Sequence, residues 1–183
     1  MTDDELSGSA GSHSASLKIL RGFALPYARD LQPGITELRD CLSFRHAVTP
    51  GGFTMSSEPT RCFTLGWTTI ERSQERRDAD GPWPALPSLF KHLARDAAVL
   101  AGFENFDADA CLIDRSPPGA RLSFHQERSV PDACAPIVAL TLGMASAFLF
   151  RGREAAGRSA SVTLWHGDVV VWTPASVNSR QAR

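Results

Sequence analysis

The sequence predicts an α+β domain in which helices pack on a two-sheet β-sandwich or jelly roll. Three observations lead there: one segment repeats apolar residues at helical spacing, many short segments after it alternate with a period of two, and turn-forming residues separate those short segments. With 183 residues and 43% hydrophobic content, the chain suits a single core.

The clearest helix starts at Ser88 and runs to Gly102. Leu89, Leu93, Ala97 and Leu100 recur at helical spacing, Ser88 after Pro87 is the expected N-cap, and Gly102 is placed to end the helix. Trp83, Pro84 and Pro87 mark a rigid lead-in, while the mixed charges from Glu71 to Gly81 read as an exposed loop. Strands are expected at Ala110 to Arg115, Arg121 to His125, Ile137 to Leu142, Ala147 to Phe150, Val162 to Trp165 and Val169 to Trp172. Turn residues separate them at Pro117-Pro118-Gly119, Arg151-Gly152-Arg153 and Gly167-Asp168. His166-Gly167-Asp168 ahead of Val-Val-Val-Trp reads as a hairpin turn leading into a buried strand. The expected order is helix first, then strands.

Composition narrows the class of protein. The 20 acidic residues nearly balance the 19 basic ones, which argues against a protein that coats nucleic acid by bulk charge. Cys41, Cys62, Cys111 and Cys134 form no CxxC pair, so neither a zinc knuckle nor a disulfide framework is expected, and a reducing cytoplasm is the expected location. Residues 1–16 are polar, acidic and Ser/Gly-rich, without the features of a secretory signal, and read as a disordered tail. No stretch offers the ~18 consecutive apolar residues of a membrane span, so no membrane association is expected.

Candidate chemistry begins at His125-Gln126-Glu127. An imidazole and a carboxylate at i and i+2 share one face of a strand, where both can grip one metal. With 5 His and 20 acidic residues in the chain, however, chance alone supplies roughly 0.5 such spacing. Trp67, inside LGWTT, is either a packing residue or a platform for an extruded base, a contact worth ~1–3 kcal/mol. Thr49-Pro50-Gly51-Gly52 is a turn signal first and a lid hinge second.

These signals occur in a specific order: VTPGGFTMS, LGWTT, GPWPALP, the helix through AGF, DACLIDR, PPGARLSFHQE, APIVALTLGM, FLFRG and HGDVVVW. That order, from about Leu17 to Trp172, resembles the AlkB family of Fe(II)- and 2-oxoglutarate-dependent nucleic-acid dealkylating dioxygenases. The resemblance implies a double-stranded β-helix (jelly roll) with N-terminal helices, a nucleotide-recognition lid and an iron centre of two His and one carboxylate. It also implies 2-oxoglutarate as cosubstrate and oxidative removal of an alkyl group from N-alkylated bases in DNA or RNA, as in DNA repair, preferentially on single strands. Enzymes working on a base must take it out of the stack, which calls for an aromatic clamp more than for global positive charge.

Carried over position by position, the resemblance makes His125 and Glu127 iron ligands, with Glu127 standing where the family has Asp. The extra methylene moves the carboxylate by about an ångström, whereas metal sites tolerate errors of about 0.2 Å, so weakened iron binding is expected. Trp67 matches the residue that stacks on the flipped base, and Phe53 and Met55 match the lid. Ser129 replaces an acidic residue that helps read the base. The family's Asn-Arg-Tyr segment, which hydrogen-bonds 2-oxoglutarate, appears as Asp114-Arg115-Ser116, putting a carboxylate toward a dianion. No His follows His166, and Arg180 and Arg183 lack the strand pattern that would hold a cosubstrate clamp. The expectation is a domain over residues 17–172, an atypical tail over 173–183, final strands missing, and Val169 to Trp172 left as an open edge prone to association of an otherwise monomeric protein. Two alternatives stay open: a non-catalytic nucleic-acid-binding remnant of the fold, and the product of a frameshifted gene.

Overall fold

The computed structural model describes residues 17–41, 58–63, 85–120, 132–152, 159–175 and 177–182. Two three-stranded antiparallel sheets form its centre. In the first, β7 (Val169–Trp172) lies between β1 (Leu17–Leu20) and β4 (Ile137–Leu140). In the second, β5 (Ser146–Gly152) lies between β6 (Ala160–Leu164) and β8 (Val177–Ala182). A separate two-stranded ribbon pairs β2 (Glu58–Phe63) with β3 (Ala110–Arg115). Helix α1 (Ala28–Cys41) follows a short 3-10 turn at Leu25–Tyr27, and α2 (Ser88–Ala101) precedes β3.

The run Val-Val-Val-Trp is apolar throughout because β7 is covered on both faces. Val170 and Trp172 join Leu17, Phe148, Phe150, Leu164 and Val177 in the cluster between the two sheets. Val169 and Val171 join Ala24, Leu31, Leu93 and Ala97 beneath the helices. The layers are therefore helices, then β1-β7-β4, then β6-β5-β8. Within the inner cluster the Phe148 and Trp172 rings stand 5.5 Å apart in a tilted arrangement. A third cluster of Leu38, Leu86 and Ala108, flanked by Cys111 and Ile113, seats the ribbon against the helices.

The helix expected from Ser88 is present, and Gly102 ends it in the left-handed conformation at φ 97°, its N–H reaching the carbonyls of Ala98 and Val99. The cap differs: Pro87, in an extended conformation, occupies the N-cap position without a side-chain hydrogen bond, and Ser88 is the first helical residue. Lys18 at β1 places its Nζ 3.2 Å from the Leu100 carbonyl, a cation at the negative end of α2.

Four expectations are corrected. Strands do not simply follow helices, because β1 opens the described chain and β2 precedes α2. Arg151-Gly152 is not a turn but the end of β5, paired with Asn178 and Val177 of β8. The segment after Trp172, expected to lack strand pattern, carries β8, which pairs with β5 from Ala147 to Gly152. Val169 to Trp172 is correspondingly no open edge but the central strand of its sheet, with Trp172 opposite both Leu17 and Ile137. Backbone N–H and C=O groups make a ladder whatever the side chains, and in β8 the buried Val177 supplies the apolar anchor. The strand expected at 121–125 and the loop expected at 71–81 lie outside the described residues. Among the described residues no helix is long and apolar enough to cross a membrane.

Leu164, 1% exposed, seals the end of the inter-sheet cluster. Leu164→Ala should cost about 2–5 kcal/mol in urea unfolding, whereas Leu100→Ala, on an exposed helix position, should cost well under 1 kcal/mol.

Candidate functional site

Among the described residues, a dense set of polar contacts gathers at the turn His166-Gly167-Asp168. Asp168 begins where β6 has ended and β7 is about to start, and its carboxylate is buried. Its Oδ1 accepts the Gly22 N–H at 2.8 Å; its Oδ2 accepts the Trp165 N–H at 2.9 Å and Arg21 Nη1 at 2.6 Å. The same Arg21 nitrogen donates to the Thr163 carbonyl at 2.7 Å. The Arg21 side chain is half exposed, so its charge is hydrated from one side while Asp168 is not.

Backbone bonds complete the knot. Thr141 N–H donates to the Asp168 carbonyl, Gly167 N–H to the Thr141 carbonyl, and Ala24 N–H to the Gly167 carbonyl, all between 2.8 and 2.9 Å. Gly167 has φ 85°, and an added Cβ would lie 2.6 Å from Leu25 Cδ2 and 3.1 Å from the Leu25 backbone nitrogen, so glycine is required twice over. Exposed His166 accepts the Gly143 N–H on Nδ1 at 3.0 Å, pinning the β4–β5 turn. The turn is not the expected hairpin: β6 and β7 belong to different sheets, and the knot carries the chain from one to the other.

Of the residues expected to do chemistry, Asp114 and Ser116 are described. Asp114 lies near the end of β3, opposite Pro59 of β2 and exposed; Ser116 follows the strand and is half-buried. A turn then closes with Ala120 N–H on the Pro117 carbonyl at 3.0 Å, Gly119 adopting φ 85°. His125, Glu127, Ser129, Trp67, Phe53 and Met55 lie outside the described residues. Among the described residues no group of three His, Cys, Asp or Glu side chains is placed to hold a metal. The framework on either side of the His125 segment is described. Before it stand β3 and the buried Ala120; after it, Asp132 Oδ1 accepts the Cys134 N–H at 2.8 Å, and Ala175 N–H donates to the Ala133 carbonyl at 2.9 Å, tying that segment to the approach to β8.

Sequence reasoning missed Arg21 and the burial of Asp168. The available signal was an Asp directly ahead of four apolar residues, a position where an unpaired carboxylate would be untenable.

The architecture and the sequence both have relatives. The family model described as the 2OG-Fe(II) oxygenase superfamily matches residues 17–180. The alpha-ketoglutarate-dependent dioxygenase AlkB of Salmonella typhimurium is 45% identical over 158 residues, covering 84% of this chain and 73% of that protein. The protein of the same name from Escherichia coli is 44% identical over 163 residues, covering 87% and 76%. The solved structure of OsALKBH1 superposes with a TM-score of 0.74 at 16% identity, covering 96% of this chain and 88% of that one, a likeness of fold.

Asp168→Ala strands the Gly22 and Trp165 amides and the Arg21 guanidinium together, and should cost about 2–4 kcal/mol. Arg21→Ala, which leaves two amide donors on the carboxylate, should cost less. Chemical denaturation of both variants checks the order; a larger loss for Arg21→Ala would show that charge attraction, not amide capture, dominates.

Proposed function

The chain belongs to the AlkB family within the 2OG-Fe(II) oxygenase superfamily, and from that membership we propose that it is an Fe(II)- and 2-oxoglutarate-dependent dioxygenase removing alkyl groups from N-alkylated bases in DNA or RNA. The observation that carries this reading is the 44–45% identity to two bacterial AlkB proteins over more than four-fifths of the chain. The two-sheet fold supports it.

In this reading His125 and Glu127 hold the iron, an imidazole and a carboxylate being donors suited to Fe(II). The bound metal and cosubstrate supply the oxidising power for hydroxylation of the N-alkyl group, which then leaves as an aldehyde. The chain's own residues position the target. Trp67 stacks on the everted base, Phe53 and Met55 belong to the lid over the nucleotide, and Ser129 borders the base-reading side. Asp114 and Ser116 face the cosubstrate. Single-stranded nucleic acid is the favoured substrate because the base is then already free of its pair. The protein works as a monomer in the cytoplasm.

The departures at Asp114, Ser116 and Glu127 support a second reading, a nucleic-acid-binding protein of this fold without turnover. Changing Trp67 to Ala should weaken single-strand binding about tenfold or more in that case, while adding a chelator leaves binding unaltered.

Anaerobic titration with ferrous iron and 2-oxoglutarate should produce the visible charge-transfer absorption of a bound pair and lose it in His125→Ala. No absorption at saturating ligand would reject the dioxygenase reading. Asp114→Asn removes a carboxylate facing a dianion and should tighten 2-oxoglutarate binding about tenfold, measured by the same titration.

A further inference from the structure

The ribbon holds a juxtaposition that cysteine spacing along the chain conceals. Cys62 of β2 is the register partner of Cys111 of β3, flanked by the pairs Arg61–Leu112 and Phe63–Ala110. Directly opposed residues of an antiparallel ladder share one face of the sheet, with Cα atoms roughly 4.5–5.5 Å apart. That separation lies inside the roughly 4.4–6.8 Å span that a disulfide bridges without backbone movement. Cys111 is half-buried and packs at the edge of the Leu38, Leu86 and Ala108 cluster, so its position is held by tertiary contacts.

We propose that Cys62 and Cys111 are a thiol pair that oxidises to a reversible cross-strand disulfide, a covalent latch on the ribbon that carries Asp114. The ribbon stands apart from both three-stranded sheets, and a lone two-stranded pairing is only marginally stable in water. It is therefore the place where a crosslink has leverage. The chain between the two cysteines includes the whole of α2, so the bond closes a long loop and removes much freedom from the unfolded state.

A peroxide is the oxidant. One thiolate attacks its O–O bond, giving a sulfenic acid and one water; the second sulfur then displaces the sulfenic hydroxyl, forming the S–S bond and a second water. Two electrons pass from the sulfurs to the peroxide, and both thiol protons end in water. Thiol–disulfide exchange with a reducing thiol reverses the bond. None of these steps needs iron or cosubstrate, and the test stands apart from the catalytic reading.

The full chain is treated with equimolar hydrogen peroxide, digested without reduction and mapped by mass spectrometry, with melting followed in parallel. The expected result is a linked peptide joining β2 and β3, lighter by two hydrogens than its parts. A Tm rise of about 5–10 °C that dithiothreitol reverses should accompany it. Cys62→Ser should abolish both changes, and Cys111→Ala repeats the control at the half-buried partner. Unlinked or over-oxidised Cys62 and Cys111, or linkage of either to Cys41 or Cys134, would overturn the pair. A linked peptide without a Tm rise would overturn the latch.

Discussion

A carboxylate taken out of water must find replacements for its hydration shell, and Asp168 finds them in two backbone amides and one guanidinium. Those donors come from places far apart in the chain. Gly22 and Arg21 follow β1, and Trp165 follows β6, so satisfying one side chain draws the edge strand of one sheet and the exit of the other to the start of β7. The carbonyls and amides of Thr141, Gly167 and Ala24 then lock the same point from the backbone. The central strand of the molecule begins at this knot, and its four buried side chains divide alternately between the inter-sheet core and the helix layer. The placement of both cores depends on where that strand starts.

The knot also explains a glycine. The chain must reverse between sheets while Leu25 packs across the turn, which leaves neither the φ range nor the space for a Cβ at Gly167. Arg21 differs in kind: half of it faces water, so its contribution to the knot is more directional than Coulombic.

Function in this family belongs to a site grafted on the framework rather than to the framework itself. Here the framework is built from short strands in two small sheets, with a detached ribbon beneath the helices carrying Asp114. In the HGDVVVW block, Asp168, Gly167 and the four residues of β7 hold the two sheets and the helix layer together.

By itself the sequence determined the helix from Ser88 to Gly102, the strands at 110–115 and 169–172, and the family, since apolar period, turn residues and ordered motifs are local properties written in consecutive positions. Of the candidate site, the motifs supplied expectations at His125, Glu127, Asp114 and Trp67, of which Asp114 alone lies among the described residues. Only the tertiary structure decided which strands are neighbours. It made β7 central rather than an edge, gave the polar segment 177–182 a place beside β5, buried Asp168 against Arg21, and set Cys62 across from Cys111. The physical reason is common to all four. Ladder hydrogen bonds and buried ion pairs join groups remote in the chain, and backbone amides pair alike whatever side chains they carry, so no local pattern records the partner.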